Sequence, residues 1–244
     1  DEFFGEYVPE RKDKLKFISN FSGSYGFAII LKNKNYLFVD GRYTLQAKIQ
    51  SGKFFNIVTI PNKFPSDILK KKKLKIGYDP KLHTQKTLKI FFNKTNCKPI
   101  PINQDLIGKL QTKKERSSLK KFYTLPKNAI GENYRIKINK LISLLNKKKI
   151  NLQFISASEN IAWLLNIRGK DSEFTPMPNA YLTIGSNKKV NLFCDLNKIK
   201  LSFKKKFKNI NFIDIRHTGL FLSKVKNKNI LIDASSCSIY FENI

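Results

Sequence analysis

Several residue types that carry chemistry are scarce in this chain of 244 residues. It has three cysteines, two histidines, one tryptophan and one methionine. Cys97, Cys194 and Cys237 are isolated and odd in number. They make neither a disulfide framework nor a Cys-x-x-Cys metal knuckle, and a reducing, cytoplasmic setting fits them best. His83 and His217 belong to no His-Glu-x-x-His or other ligand-spaced cluster, so each reads as a surface or packing residue and no metal site is expected. No apolar run reaches the roughly 18 residues of a membrane span. The start, Asp1 to Tyr7, lacks the basic-then-apolar order of a signal peptide. Arginine is scarce too: six of 47 basic residues, at 11, 42, 116, 135, 168 and 216.

That last shortage qualifies the most conspicuous surplus. A net charge of +29 invites a nucleic-acid reading. Bidentate reading of phosphate or guanine prefers Arg, whereas the lysines here are spread through every segment and often sit beside Asn. A solvated, Lys-rich surface is the simpler account. The run Lys70–Lys73 reads as a helix end or loop rather than a binding stripe.

One phrase occurs twice, about 146 residues apart. The first copy is Leu15-Lys16-Phe17-Ile18-Ser19-Asn20-Phe21-Ser22-Gly23, and the second is Ile161-Ala162-Trp163-Leu164-Leu165-Asn166-Ile167-Arg168-Gly169. Aromatic, aliphatic, Asn, apolar and Gly share the same offsets. Each copy runs into a paired apolar segment that ends in an acid, at Asp40 and at Asp195. Two homologous domains in tandem are implied. Asn20 and Asn166 are expected to cap or bind backbone where a helix meets a loop.

Between these landmarks the patterning alternates strand and helix. In the first half it predicts a hairpin at 27–31 and 36–39, a helix at 43–50 and a strand at 55–60. A helix opened by Pro65, a strand at 74–78, a helix at 84–92 and an edge strand at 97–102 follow. Residues 105–123 read as a helix or linker. The second half predicts a helix at 134–145, a strand at 152–156, a helix N-capped by Ser158, and a hairpin at 180–195. A strand at 210–213, a helix near 218–224 and a strand at 229–232 complete it. Repetition of helix and strand argues an α/β fold with helices against a sheet. Trp163, on an apolar helical stretch, is expected in the core.

With the hairpins and their flanks in view, the sequence resembles the Xaa-Pro aminopeptidases (aminopeptidase P) of the three-domain form. The resemblance rests on Gly5-Glu6-Tyr7-Val8-Pro9, Phe21-Ser22-Gly23-Ser24-Tyr25-Gly26, Phe38-Val39-Asp40-Gly41-Arg42-Tyr43-Thr44-Leu45-Gln46 and the phrase from Ile161 to Asp171. It implies two tandem creatinase-N-like domains, each a mixed β-sheet flanked by helices with ribonuclease-H-like topology. The first would span 1–123, lacking an N-terminal helix and strand and with a linker from about 105. The second would span 124–244. It further implies a pita-bread catalytic domain, not within these residues, holding two divalent ions, manganese as a rule. That domain would be a partner of this segment, and the parent a cytoplasmic homodimer cleaving peptides with proline in second position. The segment alone is expected to be inactive and to hold no metal.

Two departures from the family are visible. Phe174-Thr175-Pro176 stands where a His-Thr/Asn-Pro phrase is usual, and Thr112–Arg116 stands for an acidic-then-Arg-Pro linker. Arg42 is the residue that the resemblance brings to the catalytic cleft, as a substrate contact. A fixed cation beyond a strand end suits a peptide carbonyl or carboxylate. The plainer reading is a salt bridge to Asp40. Tyr43, Arg168 and Asp171 are candidates for the cleft or an interdomain contact, with an ion pair or turn bond around Gly169 as the alternative for the last two. Only the first copy follows its hairpin acid with Gly-Arg-Tyr, so only the first domain is expected to touch substrate. A stand-alone basic binding module, or a prolidase- or creatinase-type relative with another substrate, remains open at this point.

Overall fold

The computed structural model describes residues 1–111 and 120–244, so the linker phrase Thr112–Arg116 lies outside the described residues. Two compact units are present. The first runs from Val8 to the stretch 112–119. The second runs from that stretch to Ile244 and includes Glu2–Tyr7.

In the first unit, α1 (Lys14–Ser19) leads to strands β1 (Gly26–Ile30) and β2 (Asn35–Asp40), then α2 (Thr44–Ser51), β3 (Asn56–Ile60), α3 (Pro65–Leu69), β4 (Lys75–Tyr78), α4 (Gln85–Phe92) and β5 (Lys98–Pro101). The strand order is β1-β2-β3, with β1 antiparallel and β3 parallel to β2. A separate parallel pair, β4 and β5, lies apart from that sheet. The central strand β2 is buried on both faces, which is why it reads as an unbroken apolar run. Leu37 and Val39 face a core with Phe21, Ala47 and Phe55, while Phe38 faces one with Ile29, Leu69 and Cys97.

The second unit is larger. Its elements are β6 (Tyr123–Thr124), α5 (Tyr134–Lys147), β7 (Leu152–Ile155), α6 (Ser158–Leu165), β8 (Ile167–Arg168), β9 (Ala180–Gly185), β10 (Val190–Cys194), α7 (Leu201–Lys206), β11 (Asn211–Asp214), α8 (Thr218–Ser223), β12 (Ile230–Leu231) and α9 (Ile239–Glu242). The sheet order is β11-β10-β9-β7-β12. β9 and β10 form the hairpin, and β11 runs parallel to β10. Alternation splits the core: Leu182, Ile184, Val190 and Leu192 face α5 and α6, whereas Tyr181 and Phe193 face Phe154, Leu222 and Phe3. Both units are mixed sheets flanked by helices, as the patterning and the resemblance implied.

The repeated phrase ends its helix in the same way in both units. α1 and α6 each end on an Asn in the left-handed region, Asn20 at φ 61° and Asn166 at φ 54°. Asn tolerates this C-cap geometry better than most residues. The repeated glycines follow from close approach: a Cβ on Gly23 would lie 2.3 Å from the Phe21 ring, and one on Gly169 would lie 2.7 Å from Met177 O.

Two expectations need correction. Trp163 is 64% exposed, because Ile161, Ala162, Leu164 and Leu165 occupy the inner face of α6 and position 163 points away from it. Ser158 is the first residue of α6 rather than its cap, and its buried Oγ has no hydrogen-bond partner. Of the two readings of 105–123, helix or linker, the described parts form no α-helix, and Tyr123–Thr124 pairs antiparallel with Ile167–Arg168. Arg168 and Asp171 make their bonds to separate partners within the second unit, as detailed below.

His83 packs edge-on against Tyr78 and Phe91, with ring centroids 5.6 and 5.9 Å away. Burial lowers its pKa to about 4, against a smaller opposing pull from Asp79. The unfolded chain therefore takes up this proton near pH 6.5 and the folded one only near pH 4. Stability should fall as the pH drops through that window, by at most about 3 kcal/mol. Urea midpoints measured from pH 7 to pH 4 should show the loss, and His83→Leu should flatten the difference.

Candidate functional site

The end of β2 builds a fixed arginine. Asp40 Oδ1 accepts the backbone N–H of Arg42 and its Nε–H, both at 2.9 Å, across the 3-10 turn Gly41–Tyr43. The Arg42 guanidinium beside Asp40 lowers the carboxyl pKa. Thr44 Oγ1 donates back to Gly41 O at 3.2 Å, closing the turn into α2. Arg42 also lies over the Tyr43 ring, 5.4 Å from its centroid. Tyr43 is held in turn: its hydroxyl is 2.8 Å from Ser24 Oγ, and its ring meets Phe21 edge-on at 5.8 Å. The Arg42 side chain remains 69% exposed, so this pair adds little to stability and mainly fixes direction.

The second unit contains the same device, which the sequence reading missed. Asp214-Ile215-Arg216-His217-Thr218 repeats Asp40-Gly41-Arg42-Tyr43-Thr44 as Asp-x-Arg-x-Thr. Asp214 Oδ1 accepts Arg216 N and Nε at 2.9 Å, and Thr218 Oγ1 donates to Ile215 O at 2.7 Å. Arg216 Nη2 adds a second bond to Asp214 Oδ2 at 2.9 Å, and the guanidinium pulls the Asp214 pKa down to about 2. The phrase was there to be found. It escaped notice because it follows β11, one strand later than in the first unit. The hairpin acid of the second unit, Asp195, is indeed followed by Leu196-Asn197-Lys198, and the second strand-end arginine stands after the next strand. Both devices stand at the carboxyl ends of a parallel pair, with Asp40 opposite Ile60 and Cys194 opposite Asp214.

Arg168 and Asp171 have separate duties. Arg168 Nη1 donates to Ala162 O at 3.0 Å and Ile167 O at 2.8 Å, at the C-terminal end of α6. Asp171 is buried: Oδ1 pairs with the buried Lys198 ammonium, and Oδ2 accepts Asn179 N at 2.8 Å. Phe174 is exposed and meets the Tyr7 ring at 5.1 Å.

Among the described residues no three His, Cys, Asp or Glu side chains gather where a metal ion could be held. The described residues therefore do not by themselves make up a dinuclear centre. The thiols of Cys194 and Cys237 are pushed up to about 12, chiefly by burial, and are not nucleophiles at neutral pH.

Residues 7–106 match a creatinase/prolidase N-terminal domain, and residues 112–244 match a second one. The chain belongs to the creatinase/prolidase N-terminal domain family. Its relatives within that family are Xaa-Pro aminopeptidases. One from Dictyostelium discoideum is 30% identical over 221 residues, covering 82% of this chain and 34% of that protein. Another, from Caenorhabditis elegans, is 26% identical over 240 residues, covering 93% and 38%. The creatinase/prolidase N-terminal chain thus spans about a third of the length of the curated relatives it matches. The fold agrees with the crystal structure of X-prolyl aminopeptidase from C. elegans, described as a cytosolic enzyme with a di-nuclear active site. The TM-score is 0.88 at 21% identity, over 99% of this chain and 42% of the other.

A cleft of about 340 Å³ also lies in the second unit, between α5, α6, β7 and residues 233–236. Lys137 borders it, with its ammonium on Trp163 O and Asn166 Oδ1 and 4.2 Å from the Trp163 ring centroid. This lysine closes the C-terminal end of α6, as cations commonly do. Desolvation lowers its pKa. No helix among the described residues is long and apolar enough to cross a membrane.

Proposed function

We propose that this chain is the N-terminal, non-catalytic region of a metal-dependent Xaa-Pro aminopeptidase, and that it shapes access to a catalytic domain that follows it. The observation that carries the reading is that both units match creatinase/prolidase N-terminal domains in a chain whose relatives are Xaa-Pro aminopeptidases. The parent releases the residue that precedes proline. A proline amide lacks an N–H and has a fixed φ, so a site for it gains from an added domain that narrows the cleft. Two divalent ions, manganese by family resemblance, would activate the attacking water in the catalytic domain. This segment's part is binding and orientation. Arg42 offers a rigid cation to a carbonyl or carboxylate of the peptide, with Tyr43 as the platform beneath it. The parent is a cytoplasmic homodimer, with Arg168 and Asp171 placed to shape the loop that faces the cleft or a neighbouring domain.

Arg42→Ala in the full-length enzyme tests the reading. Loss of one charge-assisted hydrogen bond should lower kcat/KM for an Xaa-Pro peptide about 10- to 100-fold. The urea midpoint should stay within error, since the side chain is mostly exposed. Unchanged kinetics would remove Arg42 from the site. Turnover by the purified 244-residue chain would show that the catalytic role has been put in the wrong place.

A further inference from the structure

Glu2–Tyr7 belongs to the second unit, although the first unit follows it directly from Val8. The chain therefore passes between the units twice, once at Tyr7–Val8 and once across the stretch 112–119. Residues 2–6 lie outside both family matches. They form no helix or strand, yet Phe3 is only 4% exposed. Its ring stacks on Tyr181 with centroids 5.0 Å apart, and the Tyr181 hydroxyl donates to Glu2 O at 3.2 Å. Phe3 shares this core with Phe154, Phe193, Leu222 and Cys237. At the other end of the segment Tyr7 meets the exposed Phe174 ring. Between them Phe4 stands at φ 53°, in the left-handed region. A bulky residue is strained there, because its Cβ crowds the following carbonyl. Burial of Phe3 thus holds a backbone that would relax once the segment came away. A buried anchor beside a strained residue, in a segment outside the sheet, is built to open before the sheet does.

We infer that Glu2–Tyr7 is a strained strap: through Phe3 it closes the second unit's core, the one that holds Cys237, and it opens locally while the rest of that unit stays folded. Opening leaves the first unit joined to the second through 112–119 alone. The strap is then also what steadies the unit that carries Arg42, a consequence that rests on the reading given above.

Two native thiols report on the strap. Cys237 lies in the Phe3 core, and Cys194 lies in the core on the opposite face of the same sheet. Both are 0% exposed and burial pushes both up to about 12, so neither reacts until its own face opens. The test labels the full-length protein with N-ethylmaleimide and follows the two cysteines separately by mass spectrometry. In the native protein Cys237 should react at least about tenfold faster than Cys194. Phe3→Ala should speed Cys237 by about a further tenfold and leave Cys194 unchanged. Phe4→Asn, which suits the left-handed region, should slow Cys237 by about threefold. Equal rates for the two thiols in the native protein, or equal acceleration of both by Phe3→Ala, would overturn the inference, because the unit would then open as a whole. Labelling of Cys237 in Phe4→Asn as fast as in the native protein would overturn the strain. KM for an Xaa-Pro peptide should rise about threefold in Phe3→Ala. Selective opening at Cys237 with KM unchanged, or in a protein that cleaves no Xaa-Pro peptide, would uphold the strap and refute its link to Arg42 alone.

Discussion

Asp171→Ala is expected to cost the second unit about 3–5 kcal/mol. The side chains of Asp171 and Lys198 are 3% and 4% exposed, so neither can turn to water when its partner is removed. Truncation would strand a buried ammonium and also orphan the N–H of Asn179, which Asp171 Oδ2 accepts. The penalty is mainly that of the abandoned charge, not the net value of the pair. Two further variants separate these contributions. Asp171→Asn keeps an acceptor for Asn179 and should lose less. Lys198→Met combined with Asp171→Ala removes both charges and should recover most of the loss, because exchanging a buried pair for apolar groups is often neutral. Urea midpoints at pH 7 decide the matter. A loss below about 1 kcal/mol for Asp171→Ala would mean that water reaches Lys198. Absence of recovery in the double variant would place the cost in the loop geometry instead.

This pair also shows where reading the sequence stopped. Asp171 stands two residues beyond the repeated phrase, and its partner lies 27 residues on, beyond the whole β9–β10 hairpin. Local spacing suggested Arg168, three residues away. Long-range pairing depends on how the hairpin folds back, and no periodicity reports that. What was legible was what local rules govern. The hairpins, and an Asn where each repeated helix meets its loop, follow from interactions within a few residues. Trp163 failed for a different reason. Its neighbours are apolar, so hydrophobicity alone placed it inside, yet its helical phase puts it opposite Ile161. The Asp214–Arg216 device is local in sequence, but it stands one strand beyond Asp195, the hairpin acid that aligns the two halves, so the alignment of the hairpins alone does not reveal it.

Phe21→Ala should cost the first unit about 3–5 kcal/mol. Phe21 is 1% exposed and lies among Leu37, Val39, Ala47 and Phe55. The first unit has the smaller core, so a cavity here removes a large share of what holds β2 to α1 and α2. The same ring ties stability to the site, because Tyr43 rests on it and Arg42 lies over Tyr43. Phe21→Leu should therefore spare most of the stability while loosening the platform, and KM in the full-length enzyme should rise more than the melting temperature falls. Gly23 supplies the control. Alanine there would put a methyl 2.3 Å from the Phe21 ring, so Gly23→Ala alone should destabilise by about 1–3 kcal/mol. In the Phe21→Ala background that clash has no partner, and the second substitution should cost far less. A coupling of at least about 1 kcal/mol between the two sites is the expected signature of direct contact. Simple additivity would mean that the glycine is required by the backbone rather than by the ring, and that the repeated phrase keeps its Gly for a reason other than the packing of Phe21.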